Sequence, residues 1–591
     1  MRHLPILLLT LAALTQPGPA SADVRLQVAG ANSLQDDLTA ASQLMALTDP
    51  ATLPAQDVIA SARSDYSRLL AALYERGFFG PEISIRLDGR EAADISPFRS
   101  PAAIQDVVIT VTPGAAFRLG RAEIGPLAPG TTLPEGFVSG APAGTRVLRQ
   151  AAEAGIAGWR TEGHATAVIS SQQVTARHGT AELEARIVLT PGPVATFGAL
   201  TPQGQDRMHA EAIARIAGLP TGDRFDPETL DRVAGRLRDS GAFSSVALSE
   251  GTLAPDNSLP IRADLVEAPL RRLGYGAELS STEGVTLSAY WLHRNLFGGA
   301  QRLRLDAELS GLGGENGGFD GLASAVYSLP SVLTPDTTLT FGVTLEHLDE
   351  VTFSVDSIDL VAGLDHRFSD HLTGSLSVDL SYAEIADAFS SRDVTMLSLP
   401  AILTWDSRDN PFDAHEGWYL ETGLTPFALA QGSGGVRITA DARGYLSFGQ
   451  ESGTRLAARR PLGTLDGGDT SVLPPDWLFF SGGADTVRGQ GYQSLGAWQG
   501  GVLTGGRSYF GSSLELRQDL FGNFGAVLFA DTGYVASGPY WEDGGSWHSG
   551  AGLGIRYDTP VGPIRLDLAT PVGGAGAGED LFFYIGIGQA F

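Results

Sequence analysis

Few patterns in this chain of 591 residues could do covalent chemistry. It has no Cys, which excludes thiol catalysis, disulfide frameworks and Cys-based zinc sites. Its 10 His are scattered, with no H-E-x-x-H or H-x-H spacing to hold a metal. No Ser sits in a G-x-S-x-G elbow. Residues 573–578 have the composition of a phosphate loop, but they join two predicted strands and open no helix, so they read as a hairpin turn. No enzyme, cofactor or metal is implied. What remains is electrostatic. Arg488, within Val487-Arg488-Gly489, lies in a glycine-rich connection from about residue 462 to 505, far longer than a hairpin needs. Such connections are usually functional or disordered. One that holds Trp477, Leu478, Phe479 and Phe480 is too apolar for disorder. If this loop carries its guanidinium into an enclosed space it needs carboxylates there, because a buried unpaired charge is costly.

The elements that would enclose it begin near residue 269, where period-two alternation takes over. Leu303, Leu305, Ala307 and Leu309 alternate with Arg302, Arg304, Asp306 and Glu308; Leu339, Phe341, Val343 and Leu345 alternate with Thr340, Gly342, Thr344 and Glu346. One face suits lipid and the other a wet lumen, which predicts a transmembrane antiparallel β-barrel. The segments number about 16, starting near Arg271 and ending with one that starts near Leu581. Strand parity sets Glu515 and Arg517 opposite Leu514 and Leu516, so Glu515 faces the lumen. Asp531 should also point inward, since a carboxylate on the lipid face is expensive. Glu515 and Asp531 are therefore the predicted partners of Arg488, which tethers the loop inside the barrel. In the final strand Leu581, Phe583, Ile585, Ile587 and Phe591 share the lipid face, and Gly586, Gly588 and Ala590 the other. The first strand carries Gly274 and Gly276 on one face. Glycine weakens a strand, so the seam where these two strands meet is expected to close poorly and to open sideways.

Before the barrel the chain alternates strands with helices. Met1-Arg2-His3, an apolar run to Leu14 and Ala20-Ser21-Ala22 read as a signal peptide cleaved between Ala22 and Asp23. No later apolar run is long enough for a transmembrane helix. The formal charge of −27 argues against binding nucleic acid. Residues 23–113 read β-α-α-β-β: a strand at 24–28, helices at about 33–47 and 55–75, strands at 82–87 and 105–111. Much the same order returns at 114–192 and 193–268, leaving 269–591 for the barrel. Val111-Thr112-Pro113-Gly114 and Leu189-Thr190-Pro191-Gly192 mark the repeat boundaries. In the third unit Ile261, Ala263 and Leu265 alternate with polar residues, with a slip at Val266 before Glu267.

These units resemble POTRA modules, and several barrel stretches resemble the BamA/TamA superfamily (the outer membrane protein 85 superfamily). Phe479-Phe480-Ser481-Gly482-Gly483 with Val487-Arg488-Gly489 is similar to its lumen-loop motif, with Gln490 where an aromatic is usual and Tyr492 as a substitute. Asp406-Ser407-Arg408-Asp409-Asn410-Pro411-Phe412 and residues 527–534 resemble two further family segments, and residues 552–572 resemble its TamA branch. A terminal aromatic at Phe591 resembles an outer-membrane β-signal. The resemblance implies α+β POTRA repeats in the periplasm, a barrel in the outer membrane of a Gram-negative bacterium, and no catalysis. It also implies help in inserting or secreting β-rich clients such as autotransporters, with a TamB-like inner-membrane-anchored partner docking on the POTRA units. A two-partner secretion pore or a BamA-like core insertase is the alternative.

Overall fold

A computed structural model describes residues 23–591 apart from 31, 48–49, 97–100, 102, 281–283, 314–316, 450–452, 469–470, 543, 560–561, 575–577, 579 and 588. The expected signal peptide, with Ala22, and Gly588 lie outside the described residues; Asp23 opens the first strand.

The N-terminal region is α+β. Strand Asp23–Val28, helices Gln35–Ala41 and Ala55–Glu75, and strands Glu82–Leu87 and Asp106–Thr112 follow the β-α-α-β-β order. The last strand lies in the middle, parallel to the first and antiparallel to Glu82–Leu87. The first helix stops short of residue 47. Buried Asp65, on the second helix, accepts from the N–H of Gln43 at 2.9 Å, the N–H of Leu44 at 3.1 Å and the Ser42 hydroxyl at 2.6 Å. A side chain thus takes the backbone donors that would continue the helix. A second module has one helix, Thr145–Thr161, against the sheet Arg118–Gly125, Glu182–Thr190 and Val168–Arg177, in that order. The third has helices Ala210–Ala217 and Pro227–Asp239 with strands Thr196–Gln203, Phe243–Glu250 and Ser258–Glu267. The repeated Thr-Pro-Gly is a turn requirement: Gly114 and Gly192 both have positive φ, at 78° and 73°. A Cβ there would lie 2.7 Å from the Gly80 carbonyl oxygen and 2.2 Å from Thr166 Oγ1, respectively.

Two compact units result. One comprises Met1–Gly198, Thr221–Thr229 and Gly251–Pro260, the other Ala199–Pro220, Leu230–Glu250 and Ile261–Phe591, so the division runs through the third module. Within the second unit, Arg236 forms a two-pronged pair with Asp336 at 2.7 and 2.6 Å, and Arg367 pairs with Asp239 at 2.5 Å. Ala300 joins the core of Met208, Ile213, Leu237 and Leu265. The slip at Val266 is a register shift between Val266 and Glu267. It turns the Glu267 carboxylate onto the N–H groups of Asp206, Arg207 and Met208 at 2.9, 2.7 and 2.8 Å.

From Arg271–Ser280 to Phe582–Ile587 the chain forms a closed antiparallel barrel of 16 strands. Ser391–Ser398 and Ala401–Asp406 are halves of one strand, since both pair with Leu372–Asp387 on one side and Gly417–Leu429 on the other. The break falls at Pro400, which has no N–H for the ladder. Leu305, Leu309, Phe341, Val343, Leu345, Leu514 and Leu516 face outward and are exposed, as a lipid-facing band requires. No described helix is long and apolar enough to cross a membrane. Inward Thr340, Thr344 and Glu346 are half-exposed, as a wet lumen requires, but part of the lumen is apolar. Inward-facing Phe353, Val355, Ile385, Met396, Phe427 and Leu465 pack with Leu473 and Phe479 into a dry core, against which Trp477, Phe480 and Leu495 lean. These positions are apolar on the inner face because the loop supplies the inner partner.

Candidate functional site: a lumen loop, its arginine anchor and the barrel seam

Between strands Thr454–Gly467 and Ser508–Phe521 the chain leaves the barrel wall, and from Leu473 to Leu495 it packs against inward-facing residues of the wall. Backbone hydrogen bonds join Phe479 to Gly506 at 2.8 and 2.7 Å, and Ser481 to Leu495 at 2.9 Å in both directions. The wall makes room: a Cβ on Gly463 would sit 2.3 Å from the Phe479 ring, and one on Gly533 2.2 Å from Ser481 Oγ. Val487 is fully buried and Arg488 is 3% exposed.

Arg488 is held from all sides. Its Nε and Nη2 donate to Asp531 at 2.8 and 3.1 Å, and its backbone N–H adds a third bond to the same carboxylate at 3.1 Å. Nη1 lies 2.8 Å from Glu515 Oε1, an ion pair outside hydrogen-bond alignment, and 3.1 Å from Asp567 Oδ2. The guanidinium carbon stands 3.6 Å over the centre of the Phe529 ring, a cation–π contact. The carboxylates have further cations. Arg517 binds Glu515 at 2.8 Å, and Arg556 binds Asp567. Fork-shaped donors and paired carboxylates fix both position and orientation. Inward glycines on Gly545–Tyr557 form the bed. A Cβ on Gly550 would overlap the Arg488 carbonyl at 1.8 Å, and one on Gly554 the Asp567 carboxylate at 2.1 Å. Gly489 N–H donates to the Tyr584 hydroxyl at 3.1 Å, tying the loop to the closing strand. The arrangement pairs the loop's buried guanidinium with carboxylates of three wall strands.

The seam is the second feature. Arg271–Ser280 pairs with Gly284–His293 over ten residues but with the closing strand at only two positions, Leu279 with Ile585 and Ser280 with Tyr584, among the described residues. Gln589 and Phe591 face inward. Gln589 donates to Asp413 at 3.0 Å and accepts from Arg556 Nε at 3.1 Å. Phe591 lies under Arg517, 5.5 Å from the guanidinium carbon to the ring centre, and packs against Tyr445 and Ala457 inside the barrel.

The Omp85 superfamily domain matches residues 295–591, half of the sequence. The chain belongs to the Omp85 superfamily. Its barrel is therefore an outer-membrane barrel, and members of this superfamily are insertion and transport factors. Outer envelope protein 80, chloroplastic, of Oryza sativa subsp. japonica is 24% identical over 409 residues, covering 61% of this chain and 57% of that protein. The protein of the same name in Arabidopsis thaliana is 23% identical, covering 60% and 53%. The chain thus spans about half the length of these curated relatives. Among solved structures, BamA from Haemophilus ducreyi lacking POTRA domains 1-3 superposes with a TM-score of 0.62 at 14% identity, covering 80% of this chain and all of that one. CdiB from Acinetobacter baumannii superposes with a TM-score of 0.51 at 13% identity, covering 80% and 90%. At these identities the likeness is one of fold.

For this Omp85 barrel the structure brings Arg488 together with Glu515 and Asp531, and adds Asp567, Arg556 and Phe529, which the sequence reading did not assign. Parity could have found Asp567, which alternates with Leu566 and Leu568 as Glu515 does with Leu514 and Leu516. Two expectations, for Phe591 and Tyr492, need correction. Phe591 is not on the lipid face, because the closing strand ends at Ile587 and Gln589 is drawn inward by Arg556 and Asp413. At Gly274 the Tyr290 ring of the neighbouring strand occupies the space of a side chain, 2.2 Å from where a Cβ would be. Gly276 likewise admits Ser288 Oγ, at 2.7 Å. Tyr492 does not stand in for the missing aromatic at the loop tip; its hydroxyl donates to Glu350 at 2.8 Å. Gln490 instead locks the tip, donating to the carbonyls of Ser549 at 2.7 Å and Gly573 at 2.9 Å.

Proposed function

We propose that this protein is a TamA-like outer-membrane insertase of a Gram-negative bacterium, with three POTRA-type modules in the periplasm. It passes β-rich clients, such as autotransporters, into the membrane through the barrel seam. A TamB-like inner-membrane-anchored protein is its partner, docking on the modules. One contrast carries this reading: an arginine-anchored loop occupies part of the lumen, whereas the seam is held, among the described residues, by two backbone residue pairs. A client strand gains by exchanging unsatisfied backbone groups for paired ones in lipid. The modules support the partner role. Val168–Arg177 is an edge strand exposed along almost its whole length, with Val168, Ile169 and Val174 open to solvent. Such an edge accepts an added strand.

Mass spectrometry of what co-purifies with the tagged protein from gently solubilised envelopes tests the proposal. Recovery of one very large β-rich protein with a single N-terminal membrane helix supports it. A dedicated secreted protein in its place would make this a two-partner pore, and a set of periplasmic lipoproteins would make it a BamA-like core insertase.

A further inference from the structure

We propose that Arg565 and Glu278 form a latch across the seam, and that residue 586 is Gly so that the latch can close. That the seam opens at all rests on the function proposed above; the latch itself rests on the following geometry. Gly586 pairs with Arg565 on the penultimate strand, Ile564–Gly573. On its other side the register of Leu279 with Ile585 and Ser280 with Tyr584 puts Glu278 next in line, opposite Gly586. The three residues form one row across three strands, all on the lumen face. Arg565 Nη2 nevertheless reaches Glu278 Oε1 at 2.5 Å, two strands away, by passing over the closing strand. A Cβ on Gly586 would stand 3.0 Å from Arg565 Nε and 3.2 Å from Glu278 Oε1, in the path of the pair. The glycine that reads from sequence as a weakness is the gap through which the two barrel ends are tied.

The pair is lopsided in a way that suits a latch. The Arg565 side chain is 8% exposed and belongs to a strand paired on both sides, whereas Glu278 is 41% exposed and sits on the strand that is free to leave. Parting the strands returns the carboxylate to water but leaves the guanidinium buried without its partner, which opposes opening. With two backbone pairs at this joint among the described residues, one side-chain pair is a substantial share of what holds it shut.

The chain has no Cys, so an introduced pair can be read without background. The purified, detergent-folded protein carrying Leu279→Cys and Ile585→Cys should form a disulfide readily, because these residues are opposite one another. Glu278→Gln, Arg565→Gln or Gly586→Val is expected to slow that disulfide several-fold, and the exchange Glu278→Arg with Arg565→Glu to restore it. Heat-modifiability on gels confirms that each variant is a folded barrel. Unchanged rates in the single variants, or failure of the charge exchange to rescue, overturns the latch. No client is present, so this result is independent of whether the protein is an insertase.

Discussion

At the scale of the residue, Arg488 organises the interior because one guanidinium meets three buried carboxylates at once. Arg488→Ala leaves Glu515 to Arg517 and Asp567 to Arg556 but strands Asp531, and removing one side of a buried ion pair costs about 3–5 kcal/mol. The expected outcome is a loop that added protease cleaves and a barrel whose gel shift is lost at lower temperature. Arg488→Lys should not restore either, since a point charge cannot span three carboxylates. Protease resistance and gel shift equal to the parent's would rule out the tether. Glu515 and Asp531 were legible from parity and from the cost of charge in lipid. The role of Gln490 was not legible, because its acceptors are backbone carbonyls on strands 59 and 83 residues away, and no side-chain pattern announces them.

At the scale of the element, two strand ends depart from regular alternation and do work there. The shift at Val266 was visible as a broken period, but not its purpose, since the N–H groups that Glu267 caps lie about 60 residues earlier. Burial pushes the Glu267 carboxyl up, yet the three N–H donors outweigh it and hold it below the ordinary carboxylate value. A depressed folded-state value means stability that is present above the unfolded carboxylate's pKa, about 4.3, and lost as pH falls through the folded value. Amide exchange at Asp206, Arg207 and Met208, corrected for intrinsic rates, should therefore accelerate on acidification below about pH 4. In Glu267→Gln that dependence should vanish. A parent protein whose protection there is flat with pH would contradict the cap. The other end is at residues 589–591. Period-two reading kept Phe591 on the lipid face; the one warning was Gln589, a polar residue at an apolar position, whose partners Arg556 and Asp413 explain it. Deleting residues 589–591 removes the contacts to Arg517, Arg556 and Asp413 but none to Arg488. It should lower the gel-shift temperature while leaving the loop protease-resistant; cleavage of the loop in that variant would mean the tail, not Arg488, holds it.

At the scale of the molecule, the strand count and the α+β order were legible because both depend on local period, apolar with polar in the barrel and helix with strand before it. The dry core of the lumen was not, because inward apolar residues on separate strands show their common partner only once the loop is folded among them. On the proposed function, substrates leave by the seam and not through the lumen that the loop obstructs. Locking the seam tests it most directly. With Leu279→Cys and Ile585→Cys oxidised, assembly of a β-rich client into the membrane should stop, and reductant should restore it. Full assembly with the cross-link complete would contradict the account.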